Sequence, residues 1–186
     1  MGRPIRGVYY QADNPPANIQ TPYFTHIYYA FLNPDARTFE FNIDRATASA
    51  LRGFTDTIHE KNPPIKTLFS VGGAKAGSEI FASMASNPNS RRSFISSAIK
   101  VARDLNFDGV DFDWEHPATP TDMNNLGILL AEWREAVNQE ARSTRDNSNI
   151  REFFFLLLYR EVFYKAKNQE IYRKNRATNT PTIVGL

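Results

Sequence analysis

Segments typical of β-strands alternate along this chain with segments typical of amphipathic helices, and this order limits the possible folds more than any other feature. The strand candidates are rich in β-branched and aromatic residues, and they are 5–10, 24–32, 66–73 and 107–115. The helix candidates carry apolar residues at helical spacing, and they are 45–61, 94–105 and 123–137. Strands separated by helices favour βα units and a parallel sheet. The order therefore predicts an α/β protein with four βα units by residue 146.

The fourth strand candidate is unusual because FDGVDFDWEHP, residues 107–117, places four acids within eight residues. Asp111, Asp113 and Glu115 alternate with large apolar residues, so in a strand their carboxyl groups point to one face. In a parallel α/β barrel, that face would be the inner one, and chemistry takes place at the carboxyl end of the strands. Three carboxyl groups on one face cannot all be ionised cheaply. At least one is therefore expected to keep its proton near neutral pH and to act as a general acid.

Two other interpretations of these acids remain open. Acids clustered in sequence commonly form a solvated face or loop. Carboxylate oxygens also suit hard cations such as Mg²⁺ or Ca²⁺. No other strand candidate ends in acids that could complete a coordination shell, so we expect no metal site.

The spacing Asp108-x-x-Asp111-x-Asp113-x-Glu115, followed by Pro117, resembles the signature of the family 18 glycoside hydrolases, the chitinases. Further segments resemble the plant class V chitinase type in order and spacing: GVYYQADN, FTHIYYAFLNP, KNPPIKTLFSVGG, NPNSRRSFISSAIKVARDLNFDGVDFDWEHP and DMNNLGILLAEWREAVNQEAR. The resemblance covers about residues 3–145. It implies a TIM-type (β/α)8 barrel, of which this chain would contain only the first four to five βα units, an incomplete barrel.

The resemblance implies hydrolysis of β-1,4-linked N-acetylglucosamine polymers (chitin) with retention, the substrate's own acetamide acting as nucleophile, and no cofactor. Glu115 would protonate the glycosidic oxygen and then activate water. Asp113 would hydrogen-bond the acetamide N–H, and Asp111 would share a proton with Asp113. Chitin and chito-oligosaccharides are the expected partners.

Other positions of the signature are expected to bind substrate or to support the acids: Tyr9, Phe31, Ser70, Gly72, Gly73 and Asp108. By resemblance, Tyr9 and Ser70 hydrogen-bond the innermost Asp, and Phe31 belongs to the sugar subsite. The glycine pair lets backbone approach the strand end closely. Ordinary core and turn roles remain alternatives for the aromatic residues and the glycines.

Several features depart from the family pattern. His116 stands where the family usually has Tyr, and Ala74 stands where many members have an aromatic residue. The family's later Met-x-Tyr-Asp segment and its last-strand Trp have no counterpart, and the resemblance fades from about Ile150. We therefore expect residues 3–149 to be the N-terminal part of a catalytic barrel and 150–186 to be a divergent basic tail, as in a truncated product.

An incomplete barrel leaves sheet edges unpaired and its inner apolar residues facing water or another copy, which predicts possible self-association. Its activity would be weakened because groups that hold the acetamide are missing. Two alternatives to an enzyme therefore stay open. The chain could be a non-catalytic carbohydrate-binding protein of chitinase type, or an inactive truncated product.

Composition excludes some classes of function. The chain has no cysteine, which rules out disulfides, thiolate nucleophiles and cysteine metal sites. Its longest apolar run, 153–159, is too short to cross a bilayer. From residue 151 onward there are seven Lys and Arg residues and three Glu residues; we interpret this basic tail as a solvated end and expect no binding to nucleic acid. The first ten residues lack the apolar core of a signal peptide. An extracellular or vacuolar location, with a role in defence or chitin turnover, is thus implied by the resemblance alone.

Overall fold

The computed structural model describes residues 5–143, and within them four strands form a single parallel sheet in the order β1-β2-β3-β4. The strands are β1 Gly7–Tyr10, β2 His26–Ala30, β3 Lys66–Gly72 and β4 Gly109–Asp113. The helices are α1 Arg45–His59, α2 Ser78–Ser86, α3 Pro88–Asp104 and α4 Pro120–Ser143. Four parallel strands are half the number in a closed eight-stranded barrel, which confirms the prediction of an incomplete barrel. Any fifth βα unit and the basic tail lie outside the described residues, and the boundary at 149/150 stays a prediction.

The connection from β1 to β2 differs from the other crossovers. It contains two single-turn 3₁₀-helices, Pro16–Asn18 and Thr21–Tyr23, and no α-helix. The proline-rich sequence of this segment explains the difference, since proline removes a backbone donor and favours turns. The helix α2 was not predicted from the sequence, because its nine residues have a weaker apolar stripe than the helices on either side of it.

Local signals set where the helices begin. The side chain of Asp44 accepts a hydrogen bond from the Thr47 N–H, 2.9 Å away, and so caps α1. The side chain of Asn87 caps α3 in the same way through the Asn89 N–H, 2.8 Å away, and Pro88 occupies the first helical position. No helix in residues 5–143 is long and apolar enough to cross a bilayer.

The apolar core lies between the outer face of the sheet and the helices. Phe69 of β3 and Phe112 of β4 are 0% and 4% exposed. Phe94 of α3 connects the layers, because its ring lies 5.6 Å from that of Phe112 and 5.0 Å from that of Trp133 on α4. Such aromatic pairs prefer tilted and edge-on contacts of this kind. This packing fixes β4, and therefore its acids, against two helices.

The inner face of the sheet carries Tyr9, Tyr28 and Leu68 at matching register positions of β1, β2 and β3. Asp111 lies two residues beyond the register partner of Leu68 on β4. Tyr28 and Leu68 are 2% and 0% exposed, so the prediction that inner apolar residues face water is wrong for them. The Tyr28 ring lies over Gly7, where a side chain would meet it at 2.5 Å, and this close approach explains its burial. Tyr9, by contrast, is 48% exposed. Within the described residues β1 and β4 are each paired on one side only, and self-association stays a prediction.

Candidate active site

The acids follow the inner face of β4 to its carboxyl end, as their alternation predicted. Asp111 pairs in register with Ser70 of β3, and Asp113 pairs with Gly72. Glu115 lies two residues beyond the end of the strand. We call the end of the sheet formed by Asp111, Asp113 and Glu115 the acid edge. The structure therefore brings the three predicted catalytic residues to one edge of the sheet.

Asp111 is the innermost acid and is 3% exposed. Its Oδ2 accepts hydrogen bonds from Ser70 Oγ at 2.6 Å and from Tyr9 Oη at 3.1 Å. The family resemblance implied both donors, and they lie 41 and 102 positions away in the sequence. A buried carboxyl group needs such partners, because an unpaired polar group in a core is costly.

Burial raises the pKa of Asp111 above its ordinary value, and the negative charge of Asp113 raises it further, while the hydrogen bonds from Ser70 and Tyr9 act in the opposite direction. The pKa of Asp113 is also raised, first by burial and then by the charge of Glu115. Burial and the neighbouring carboxylates raise the pKa of Tyr9 as well, so its hydroxyl remains a donor. Along the acid edge, each of these two carboxyl groups thus has a pKa raised by burial and by the charge of the next acid in the chain, an arrangement that favours a shared proton.

The glycine pair at the carboxyl end of β3 lets the backbone of the acid edge approach closely. Gly72 has φ +117°, and a Cβ there would lie 2.1 Å from the carbonyl oxygen of Asp113. Gly73 has φ +76°, and a Cβ there would lie 2.7 Å from the Phe31 ring. The Gly73 N–H donates to the Asp113 carbonyl at 2.9 Å. Only glycine fits both the backbone conformation and the space.

Replacing Gly72 by Ala is expected to lower the free energy of unfolding by about 2–4 kcal/mol, because the methyl group meets backbone and the φ angle is strained. Urea unfolding measures this change. Gly53→Ala is the matched control, since Gly53 lies within α1 and a Cβ there would have no neighbouring atom within 4 Å. That substitution should leave stability unchanged or raise it by up to about 1 kcal/mol. Equal effects of the two substitutions would contradict the assigned role of Gly72.

Two aromatic rings flank the acid edge and are open to solvent. Phe31 is 36% exposed, follows β2 directly, and its ring centroid lies 5.9 Å from that of Tyr9. Exposed aromatic surface beside a polar cluster offers an apolar face to a ligand. The role of Phe31 in a sugar subsite stays a prediction.

Glu115 is the outermost acid, with its side chain 35% exposed. The ring Nδ1 of His116 lies 3.7 Å from Glu115 Oε2, and the His116 side chain is 80% exposed. Trp114, between the two strand-end acids, points to the helical side and is 2% exposed. Glu115 therefore faces solvent on a segment that its neighbour anchors in the core.

Asp108 lies away from the acid edge, at the opposite end of β4. It precedes the strand, so it is separated from Asp113 by roughly 16 Å along the chain direction. Its carboxylate accepts hydrogen bonds from the Thr67 N–H at 2.9 Å, from His59 Nε2 at 2.8 Å and from Lys66 Nζ at 3.1 Å. Direct contact between Asp108 and a ligand at the acid edge is excluded by this distance. Asp108 supports the strand from its amino end.

Sequence reasoning missed three polar contacts at the acid edge. Asn33 Oδ1 accepts from the Gly72 N–H at 2.8 Å and so holds the glycine turn. Ser78 Oγ accepts from Trp114 Nε1 at 2.8 Å, and it also donates to the His116 carbonyl. The role of Asn33 could have been recognised from the sequence, because this polar residue directly follows the strand candidate 24–32. Ser78 had none, because its helix was not predicted.

No group of three His, Asp or Glu side chains among the described residues is placed to hold a metal ion. One concavity of about 500 Å³ lies beside Lys66 and Asp108, at the amino end of the strands. Another, of about 840 Å³, lies on the outer surface between α3 and α4. Neither contains the acid edge, where the geometry and the shifted pKa values of Asp111 and Asp113 identify the candidate site.

Comparison with known proteins decides the family. The sequence pattern described as "Glycosyl hydrolases family 18" matches residues 6–153, most of the chain. The chain belongs to this family. The Nod factor hydrolase protein 1 of Medicago truncatula is 45% identical over 146 residues, which cover 75% of this chain and 38% of that protein. The chain thus spans less than half the length of this curated relative.

Solved structures of the family superpose on the described fold. A class V chitinase mutant from Nicotiana tobaccum, in complex with NAG4, matches with a TM-score of 0.71 and 41% identity, over 76% of this chain and 41% of that one. A chitinase-like agglutinin from Robinia pseudoacacia matches with a TM-score of 0.70 and 39% identity, over 74% and 42%. Family membership and the resemblance to class V chitinases are therefore confirmed.

Proposed function

We propose that this chain carries the catalytic acids of a glycoside hydrolase that cleaves β-1,4 bonds between N-acetylglucosamine units of chitin. The observation that carries the proposal is the acid edge. Asp111 is held there by Ser70 and Tyr9, Asp113 follows on the same face of β4, and Glu115 lies two residues further on, where its charge acts on Asp113. The class V chitinase that superposes on this chain is complexed with NAG4, which supports an N-acetylglucosamine oligomer as substrate.

The proposed reaction uses the three acids in order from solvent to core. Glu115, the most exposed, donates its proton to the glycosidic oxygen as the bond to the leaving sugar breaks. The carbonyl oxygen of the substrate's acetamide attacks the anomeric carbon and forms a cyclic oxazolinium ion. Asp113 accepts a hydrogen bond from the acetamide N–H and stabilises the positive charge. Glu115 then takes a proton from the water that opens the ring.

Asp111 supports this step through the proton that it shares with Asp113. Burial raises the pKa values of both groups, and the charge of Asp113 raises that of Asp111 further, which favours a proton shared between the two carboxyl groups. When Asp113 binds the acetamide N–H as a carboxylate, the proton resides on Asp111. The hydrogen bonds from Ser70 and Tyr9 keep Asp111 in place throughout.

A non-catalytic function is the second candidate. A chitinase-like agglutinin superposes on this chain with a TM-score of 0.70, and this similarity supports a binding function as the alternative to hydrolysis. Tyr9 and Phe31, both exposed at the acid edge, offer aromatic faces for a sugar in either case. For either function we propose that the protein meets its polysaccharide outside the cell or in the vacuole.

The thermal unfolding of the full chain, with and without chitotetraose, tests for a sugar site. Saturation at about 100 times the dissociation constant should stabilise the folded state by about 2.7 kcal/mol, which corresponds to a rise in Tm of roughly 5–10 °C. Cellotetraose is the matched control, because it has the same linkage and lacks the acetamide groups. An equal shift with both sugars, or none with either, would contradict the proposal.

A further inference from the structure

One serine hydroxyl contacts the residues on both sides of Glu115. Ser78, the first residue of α2, accepts a hydrogen bond at 2.8 Å from the indole Nε1–H of Trp114. The same hydroxyl donates to the backbone carbonyl of His116. Trp114 and His116 are the immediate neighbours of Glu115 in the chain. Ser78 therefore connects α2 to the segment 114–116.

Within the described residues, the other contacts of the segment 114–116 are concentrated at its amino end. Its amino end is fixed, because the Asp113 carbonyl accepts from the Gly73 N–H at 2.9 Å. The Trp114 ring packs against the rings of Phe81 and Phe112, with centroids 6.2 and 6.5 Å away. Beyond Trp114 the chain has left the sheet, and both Glu115 and His116 are exposed.

We propose that Ser78 is a positioning residue that fixes the segment 114–116, and with it the carboxyl group of Glu115, at the acid edge. A serine hydroxyl can accept one bond and donate another at once, which is the pairing observed here. Alanine would remove both bonds and leave the buried indole N–H without this partner. The catalytic part of the inference rests on the proposed glycosidase function. A general acid has to be held within reach of the glycosidic oxygen, and this requires a fixed position of its carboxyl group.

The test compares Ser78→Ala, Ser78→Thr and Ser86→Ala in the full 186-residue chain. Ser86 is the matched control, since it lies in the same helix, is exposed, and its hydroxyl donates to the nearby Ser83 carbonyl. The first readout is the ¹H–¹⁵N NMR spectrum, with the indole signal of Trp133 as an internal reference. The second readout is kcat and KM for hydrolysis of a chito-oligosaccharide.

In Ser78→Ala, the backbone amide signals of Glu115 and His116 should move or broaden, while the Trp133 indole signal stays in place. Ser78→Thr keeps a hydroxyl and should restore the wild-type positions, and Ser86→Ala should change neither amide. Hydrolysis by Ser78→Ala should show a kcat at least about tenfold lower with KM within about threefold, because misplacement of a catalytic group by about 1 Å can cost about 10²-fold. Ser78→Thr should regain most of the rate.

The two readouts keep this inference separate from the proposed function. Wild-type positions of the Glu115 and His116 amide signals in Ser78→Ala would overturn the inference, whatever the hydrolysis rate. An unchanged kcat in a hydrolysing chain would overturn it as well. If the wild-type chain hydrolyses no chito-oligosaccharide, the proposed function fails, and the amide signals alone decide whether Ser78 holds the segment.

Discussion

Replacing Glu115 by Gln is expected to lower the rate of chito-oligosaccharide hydrolysis on the order of 10³-fold, the usual contribution of a general acid. Glutamine has nearly the same size and keeps the hydrogen-bonding oxygen, but its amide cannot donate an acidic proton. The side chain is 35% exposed, so the substitution should leave the fold intact. Product release from chitotetraose measures the rate, and the rise in Tm with the same sugar measures binding. Binding should change by less than about threefold.

Glu135→Gln is the matched control for that experiment. Glu135 is an exposed residue of α4, on the outer layer of the fold, where it accepts a hydrogen bond from Gln139. Its substitution should leave both the rate and the binding unchanged. Hydrolysis at the wild-type rate by Glu115→Gln would show that another group supplies the proton. Sugar binding without hydrolysis in the wild-type chain would instead favour the agglutinin-like function.

The sheet and the acid edge were largely predictable because period-two alternation determines which residues share a face. Asp111 and Asp113 alternate with Val110 and Phe112, and that pattern alone places the acids opposite the helices. The partnership of Asp111 with Ser70 and Tyr9 came from family resemblance, and the parallel register of neighbouring strands produces it. Once the buried face of a strand is fixed, its pairing register and the face to which each side chain points are fixed as well.

The contacts that sequence reasoning missed depend on where elements begin and on chain segments far apart. Asp108 is close to the other acids in sequence, yet it precedes β4 and therefore lies at the opposite end of the strand. Ser78 contacts Trp114 across 36 residues, through a helix whose weak apolar pattern concealed it. No periodicity encodes such a contact. The burial of Tyr28 likewise depends on a neighbouring strand, since its ring fills the space over Gly7.

The second large effect is expected at the amino end of the sheet, where Asp108→Asn should lower the free energy of unfolding at neutral pH by about 2–4 kcal/mol. Asp108 is 4% exposed, and its carboxylate joins β3 and α1 through Thr67, Lys66 and His59. Burial alone would raise its pKa. The hydrogen bonds from His59 and the Thr67 N–H, together with the charge of Lys66, outweigh burial and lower the pKa to about 2.

That lowered pKa sets the direction of the pH dependence. An aspartate whose pKa is lower in the folded state than in the unfolded state, where it is near 3.9, stabilises the fold when the pH lies above the unfolded value. The contribution of Asp108 should therefore be complete at about pH 6–7. It should decline as the pH falls below about 5 and be lost near pH 2. The difference in stability between wild type and Asp108→Asn should shrink over the same range.

Urea unfolding of both proteins at pH values of about 7, 5, 4 and 3 measures this difference. Asp104→Asn is the control, because the Asp104 side chain is exposed and pairs with Lys100 one helical turn away in α3. An exposed pair of this kind contributes little, so its substitution should cost less than about 1 kcal/mol at any of these pH values. One contrary result is that Asp108→Asn lowers the free energy of unfolding only as little as the control does, and another is that it lowers it by the same amount down to about pH 3. Either result would show that the carboxylate is not the group that joins α1 to the sheet. A large, acid-sensitive loss would place the role of Asp108 in stability and leave the chemistry to the three acids at the other end of β4.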